Sequence, residues 1–305
     1  MKSKRMLFVF LCLACLGWAG WAGAQDFGKT QIQSVKVAEG VYLLYGTGGP
    51  IGGNIGVSTG ADGVLLIDSQ FGELHEKIKA AVAAFSGGPV RFVLNTNGHY
   101  DHALGNELFG KAGAVIIAHE NSRKRMMTEQ IHDVLDEKTL PYPAAALPVV
   151  TFAESLILHL NGEDIQAIHV VNAHSDSDAF YWFRKANVIH TGDLFFPGGY
   201  PYIDIGNGGS INGMIAAADK ILGTSDEKTK LIPGHGSLSD RNRLAEYRTM
   251  LVTSRDRVAK MIKEGKNLED VVGSKPTADL DRNWSAGIGM PADMFVTMVY
   301  RDLSR

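Results

Sequence analysis

With 305 residues, 45% of them apolar and 21% charged, the chain has ordinary globular composition and enough length to bury a substantial core, as one domain or as two halves sharing it. Its formal net charge of −3 becomes −6 once the first 24 residues are removed, because 27 basic groups then face 33 acidic ones, which argues against nucleic acid as a partner. Both cysteines, Cys12 and Cys15, lie in that same stretch, so the remainder needs no disulfide and has no thiolate to serve as nucleophile or metal ligand.

Lys2, Lys4 and Arg5 precede an uncharged run over 6–24, 19 residues long, which ends Ala22-Gly23-Ala24 before Gln25 and Asp26. This reads as a secretory signal peptide over residues 1–24, cut after Ala24, and implies a periplasmic or secreted protein. A retained anchor is the alternative, since the run is just long enough to span a bilayer. A lipoprotein reading through Cys15 is weaker, because Cys12 stands where an aliphatic residue is wanted. No second apolar run of such length follows, so no stable membrane contact is expected after signal removal.

Runs at 41–45, 54–58 and 64–67, separated by glycine-rich connections, read as strands, and 47–53 reads as a mobile loop. Residues 73–85 carry Leu74, Ile78, Val82 and Phe85 at helical spacing, closed by Gly87 and Gly88, and a buried strand follows at 91–94. The alternation continues with a strand at 115–118, a charged helix from about Glu120, and strands at 155–160, 165–171 and 180–183. A short strand at Val188 and Ile189, a helix over 211–222 and a strand at Leu231 and Ile232 come next. The C-terminal part is helical: Leu244, Tyr247, Leu251, Val258 and Ile262 share one side of 241–264, and Pro291 opens a last helix. The pattern predicts two α/β halves packed sheet against sheet, with no low-complexity linker between them.

The strongest local signal is Asn95-Thr96-Asn97-Gly98-His99-Tyr100-Asp101-His102, directly after the strand 91–94. Two imidazoles and a carboxylate within four residues, on a turn at a strand end, can converge on one cation. Three further loops hold ligand types in the same position. His174 follows 165–171, Asp193 follows Val188 and Ile189, and His235 follows Leu231 and Ile232. Loops on a rigid sheet are where functional residues tend to be held. Asp68, at the end of 64–67, is placed to orient a ligand histidine from behind, and Asp176 and Asp178 to cap the turn after His174. His75, His132 and His159 are expected to face solvent, and His119, His169 and His190 to make structural hydrogen bonds.

In this ordered set the sequence resembles the metallo-β-lactamase superfamily over roughly residues 41–236. The family pattern is His-x-His-x-Asp-His, then a His, an Asp after a glycine and a final His. The resemblance implies an αββα sandwich, as a single domain over residues 25–305 with a helical part from about 240, and metals along one edge. It implies that Asp101, His102 and His235 hold a second metal, that Asp193 bridges, and that His99 and His174 belong to a first. Asn97 departs from the pattern, standing where the first histidine is usual. An amide oxygen is a poor zinc ligand, so one tightly held zinc and a weaker second are expected.

Zinc lowers the pKa of bound water to about 7, and the hydroxide so formed is the best nucleophile available once the first 24 residues, with both cysteines, are removed. Asp101 is expected to hold the attacking water. The implied function is a zinc hydrolase cleaving an ester, lactone, amide or β-lactam bond in a small molecule, with weak β-lactamase activity as one form of it. True lactamases usually carry Cys or Ser where this chain has Asp193, and many carry a lysine where it has Phe196. The loop 197–211 offers Tyr200 and Tyr202 but no Lys or Arg, which favours a neutral or apolar substrate touched by Phe196, Tyr200 and Tyr202. Two other readings stay open: a degenerate binding module without turnover, and an iron-dependent oxidoreductase of the same fold.

Overall fold

The computed structural model describes residues 26–132, 135, 137–285 and 288–305. The expected signal peptide lies outside the described residues, as does the side chain of His132. No helix among the described residues is long and apolar enough to cross a membrane.

Seven strands make the first sheet. They are β1 (Gln31–Ala38), β2 (Val41–Thr47), β3 (Ile55–Gly60), β4 (Gly63–Ile67), β5 (Val90–Leu94), β6 (Val115–His119) and, after a small separate hairpin of β7 (Gln130–His132) and β8 (Glu137–Thr139), β9 (Val150–Phe152). Pairing is antiparallel from β1 to β4 and parallel from β4 through β5 and β6 to β9. The second sheet runs in chain order through β10 (Ser155–Leu160), β11 (Glu163–His169), β12 (Ala179–Phe183), β13 (Val188–Gly192), β14 (Lys230–Pro233) and β15 (Ser239–Asp240). Only β13 and β14 are parallel in it.

The two-residue period of a strand explains the layering. Along β4, Leu65 and Ile67 point between the sheets, where they join Leu94, Ile165, Tyr181, Phe183 and Ile232. Val64 and Leu66 point the other way and pack with Leu74, Ile78 and Phe109. These side chains come from a 3-10 turn (Gly72–Leu74), α1 (His75–Ala83) and, beyond the single turn α2 (Tyr100–Ala103), α3 (Asn106–Lys111). After α4 (Glu120–Met126), the remaining helices cover the second sheet: α5 (Ile211–Thr224), α6 (Arg241–Lys263), α7 (Leu268–Gly273), α8 (Asp281–Trp284) and α9 (Ala292–Leu303). Phe180, Ile189 and Leu231 meet Met214, Leu244, Tyr247 and Phe295 there. Each such side chain, fully buried, stabilises the layer by about 1.5–3 kcal/mol. The result is the expected αββα sandwich.

His75 differs from expectation: it is buried, with its ring 4.4 Å from that of Phe109. It shares the inward face of α1 with Ile78 and Val82, three and seven residues on, so helical phase carries it inside. His159 is exposed as expected, while His119, His169 and His190 bond the carbonyls of Ala153, Asp178 and Asn54.

Parallel pairing also positions the chemistry, because it brings C-terminal strand ends side by side. Asp68 N–H donates to the Leu94 carbonyl (2.7 Å), joining the ends of β4 and β5, and Gly234 N–H donates to Gly192 (2.8 Å), joining those of β13 and β14. The β2–β3 loop is tied down between the sheets, with Gly53 N–H on the Asp101 carbonyl and Asn54 N–H on that of Gly234.

Candidate metal centre

The loops after β5, β11, β13 and β14 bring the six predicted ligands together in two overlapping groups. His99, His174 and Asp193 form one and Asp101, His102 and His235 the other, each with its ligand atoms within 4.8 Å of one another. Asp193 joins them. Its Oδ2 lies 3.1 Å from His102 Nε2 and 3.5 Å from His174 Nε2, and its Oδ1 lies 3.5 Å from His235 Nε2. Asp101 Oδ2 sits 3.1 Å from His235 Nε2 and 3.6 Å from His102 Nε2.

This donor set fits a metal ion. His102 Nε2 and Asp193 Oδ1 are both buried and neither forms a hydrogen bond. Buried polar atoms without partners cost about 1–3 kcal/mol each, so two of them turned into one cluster of imidazoles and carboxylates mark a place for a cation. Electrostatics agree. Burial works against charge on Asp193, but His102, His235 and His174 outweigh it and hold its carboxyl well below the usual range. Asp101 is held low in the same way by His102 and His235. Conversely Asp193, Asp101 and Asp68 raise His102 despite its burial, and Asp193 with Asp178 raises His174 to about 9.

Three of the four imidazoles are braced from behind. Asp68, in the left-handed region at φ 68°, takes the Nδ1 of His102 at 2.8 Å and also accepts from Thr96 N–H and Oγ1–H. Asp178 lies 3.3 Å from His174 Nδ1 and accepts from Ser175 N–H, so it does more than cap the turn. Asp176 instead forms a two-pronged pair with Arg125. His99 Nε2 lies 2.8 Å from Asp204 Oδ2. Asp204 was not singled out in the sequence; its one signal there is that it is the only acidic residue in the loop 197–211.

Asn97 is buried, and its Oδ1 accepts from His99 N–H at 2.9 Å, which commits that oxygen to its own turn. The third member of the His99 group is Asp193. A cavity of about 190 Å³ opens over the centre, walled by Phe196, Tyr202, Leu135, Ile288 and Met290. Phe196 stacks on His235 with ring centroids 5.7 Å apart. Tyr200 is a correction: it is fully buried, stacks on Phe295 and donates to Asp281 at 2.8 Å, away from the cavity. A single residue, Pro201, separates it from Tyr202 in an irregular loop, where no period tells inward from outward.

Fold and donor set together define a candidate metal-binding site, two adjoining groups of side chains that could hold an ion on the edge of an αββα sandwich. Residues 48–235 match the profile of the metallo-β-lactamase superfamily, and the chain belongs to that superfamily, whose members are generally hydrolytic. A metallo-β-lactamase from Pontibacter korlensis superposes with a TM-score of 0.60 at 17% identity, over 73% of this chain and 99% of the other. The stereoselective inverting sec-alkylsulfatase Pisa1 from Pseudomonas sp. superposes with a TM-score of 0.68 at 17% identity, over 88% of this chain but only 50% of that longer one. At such identity these likenesses speak for the fold.

Proposed function

We propose that the protein is a zinc-dependent hydrolase of small, uncharged or apolar ester, lactone, amide or lactam substrates. The observation that carries this reading is the convergence of Asp101, His102, His174, Asp193, His235 and His99 around orphaned buried donors. Imidazole and carboxylate are ligand types that suit zinc. Asp101, His102 and His235 would hold one ion and His99 and His174 another, with Asp193 shared. When bound, zinc would polarise the scissile carbonyl and make water acidic.

The chain's own residues supply the rest. Asp101 stays ionised and turns Oδ2 to the histidines, so Oδ1 is left to hold the attacking water by accepting a hydrogen bond from it. Phe196, Tyr202 and Met290 exclude water and press on the substrate's apolar part. No Lys or Arg lines the cavity among the described residues, so nothing in the protein grips an anionic group such as a drug carboxylate. The basic-then-apolar segment at the N-terminus supports a periplasmic or secreted site of action.

Metal analysis of the purified protein, paired with lactone, chromogenic lactam, thioester and phosphodiester substrates, tests the proposal. Zinc with turnover of a neutral substrate is expected. Metal-free protein inert on every substrate would leave a binding module, and iron with oxygen consumption an oxidoreductase.

A further inference from the structure

A second hollow adjoins the metal cavity on the side of the first sheet. It has a volume of about 410 Å³, inside the range of roughly 300–1,000 Å³ that small-molecule sites occupy. Its walls are Val35 on β1, Leu43 and Tyr45 on β2, Ile51 in the β2–β3 loop, and Leu238 and Ile288 opposite. His235 and Ile288 line both this groove and the metal cavity, so the two adjoin at those side chains.

We propose that this groove binds an uncharged alkyl or acyl arm of the substrate while the scissile bond sits over the metal centre. The inference rests on the hydrolase reading above and adds the class of substrate. Three observations carry it. Val35, Ile51 and Ile288 are 38%, 37% and 50% exposed, and apolar side chains left in water around one hollow mark a surface that is covered in use. Among the described residues, no Asp, Glu, Lys or Arg lines the groove. The buried Asn54 in its wall already donates both side-chain amide hydrogens, to the carbonyls of Pro233 and Gly236. A charged arm would find no carboxylate, ammonium or guanidinium group to pair with, whereas a methylene chain would lie against Val35, Leu43, Ile51, Leu238 and Ile288. Glycine at 46 completes the arrangement, because a Cβ there would collide with Ile51, which forms part of the wall.

The test uses straight-chain alkyl hydroxamates, from acetohydroxamate to octanohydroxamate, titrated calorimetrically into zinc-loaded protein. The headgroup reports the metal site and the chain reports the groove. Affinity is expected to rise about fourfold per methylene until the groove is full. Val35→Trp, at an exposed position of an edge strand, is expected to flatten that dependence, and Ile51→Ser to shallow it. Binding of acetohydroxamate without any gain along the series would overturn the groove and leave the hydrolase reading intact. Retention of the full gain in Val35→Trp would overturn its location. No binding of any hydroxamate by zinc-loaded protein would overturn the hydrolase reading and the groove with it.

Discussion

Asp204 and Asp68 do the same work for two different imidazoles, and that makes them separable. Each holds the outer nitrogen of an imidazole at 2.8 Å, Asp204 behind His99 and Asp68 behind His102. Carboxylates in this position fix the ring and its tautomer, and their loss typically weakens metal binding by about 10–100-fold. Asp204→Ala is therefore expected to weaken the second, looser zinc equivalent by that factor and leave the tight one in place. Asp68→Ala is expected to do the reverse. Competition titration with a chromogenic chelator resolves the two equivalents, and equal weakening of both by either change would refute the assignment. Asn97→His should strengthen the looser equivalent, because its present side chain gives its oxygen to His99 N–H and leaves that ion His99, His174 and Asp193. An unchanged second equivalent would mean that residue 97 does not face that ion at all.

Between β2 and β3 the loop 48–54 brings glycine against the centre, and here an element's shape is set by what it must avoid. A Cβ on Gly53 would run into the ring of His102, and one on Gly234 into Oδ1 of Asp193. Gly53→Ala is thus expected to cut the affinity of the tight zinc roughly tenfold or more while far-ultraviolet circular dichroism stays native; undiminished affinity would show that the loop gives way. What could be read in the sequence follows the same logic of environment. Strands β4, β5, β13 and β14 were legible because burial on both faces leaves short, nearly continuous apolar runs. β1 was not, since most of Gln31–Ala38 is exposed and its apolar positions are too few to set a period. The hairpin of β7 and β8 has three residues per strand, too short for any pattern. Metal ligands stood out because three lie within four residues and the rest follow strand ends. Asp204 did not, because a carboxylate in an irregular loop looks alike whether it braces a histidine or faces water.

Ligands come from both halves of the sandwich: His99, Asp101 and His102 follow a strand of the first sheet, and His174, Asp193 and His235 follow strands of the second. An ion there ties the sheets together, so metal binding and folding share one free energy. Protons compete for the same atoms. Without metal, burial disfavours charge on His174, but Asp193 and Asp178 prevail and raise it to about 9; His102 is raised as well. The folded-state value of His174 exceeds the ordinary 6.5, so the stability it brings is complete below pH 6.5 and is lost as pH climbs through about 9, and His102, raised in the same direction, adds to that trend. His190 acts in the opposite sense. Burial lowers it to about 4, so its contribution is present above pH 6.5 and is lost as pH falls toward 4. As far as these histidines decide it, the metal-free protein is most stable near pH 6.5. Zinc needs neutral imidazoles and must displace the protons of His102 and His174, so the stability it adds grows as pH rises over that upper interval. Thermal unfolding of chelator-treated protein should show Tm falling from pH 6.5 to 9, with the gap to zinc-loaded protein widening throughout. A gap that narrows across this interval would mean that His102 and His174 are not the groups that give up protons when the ion arrives.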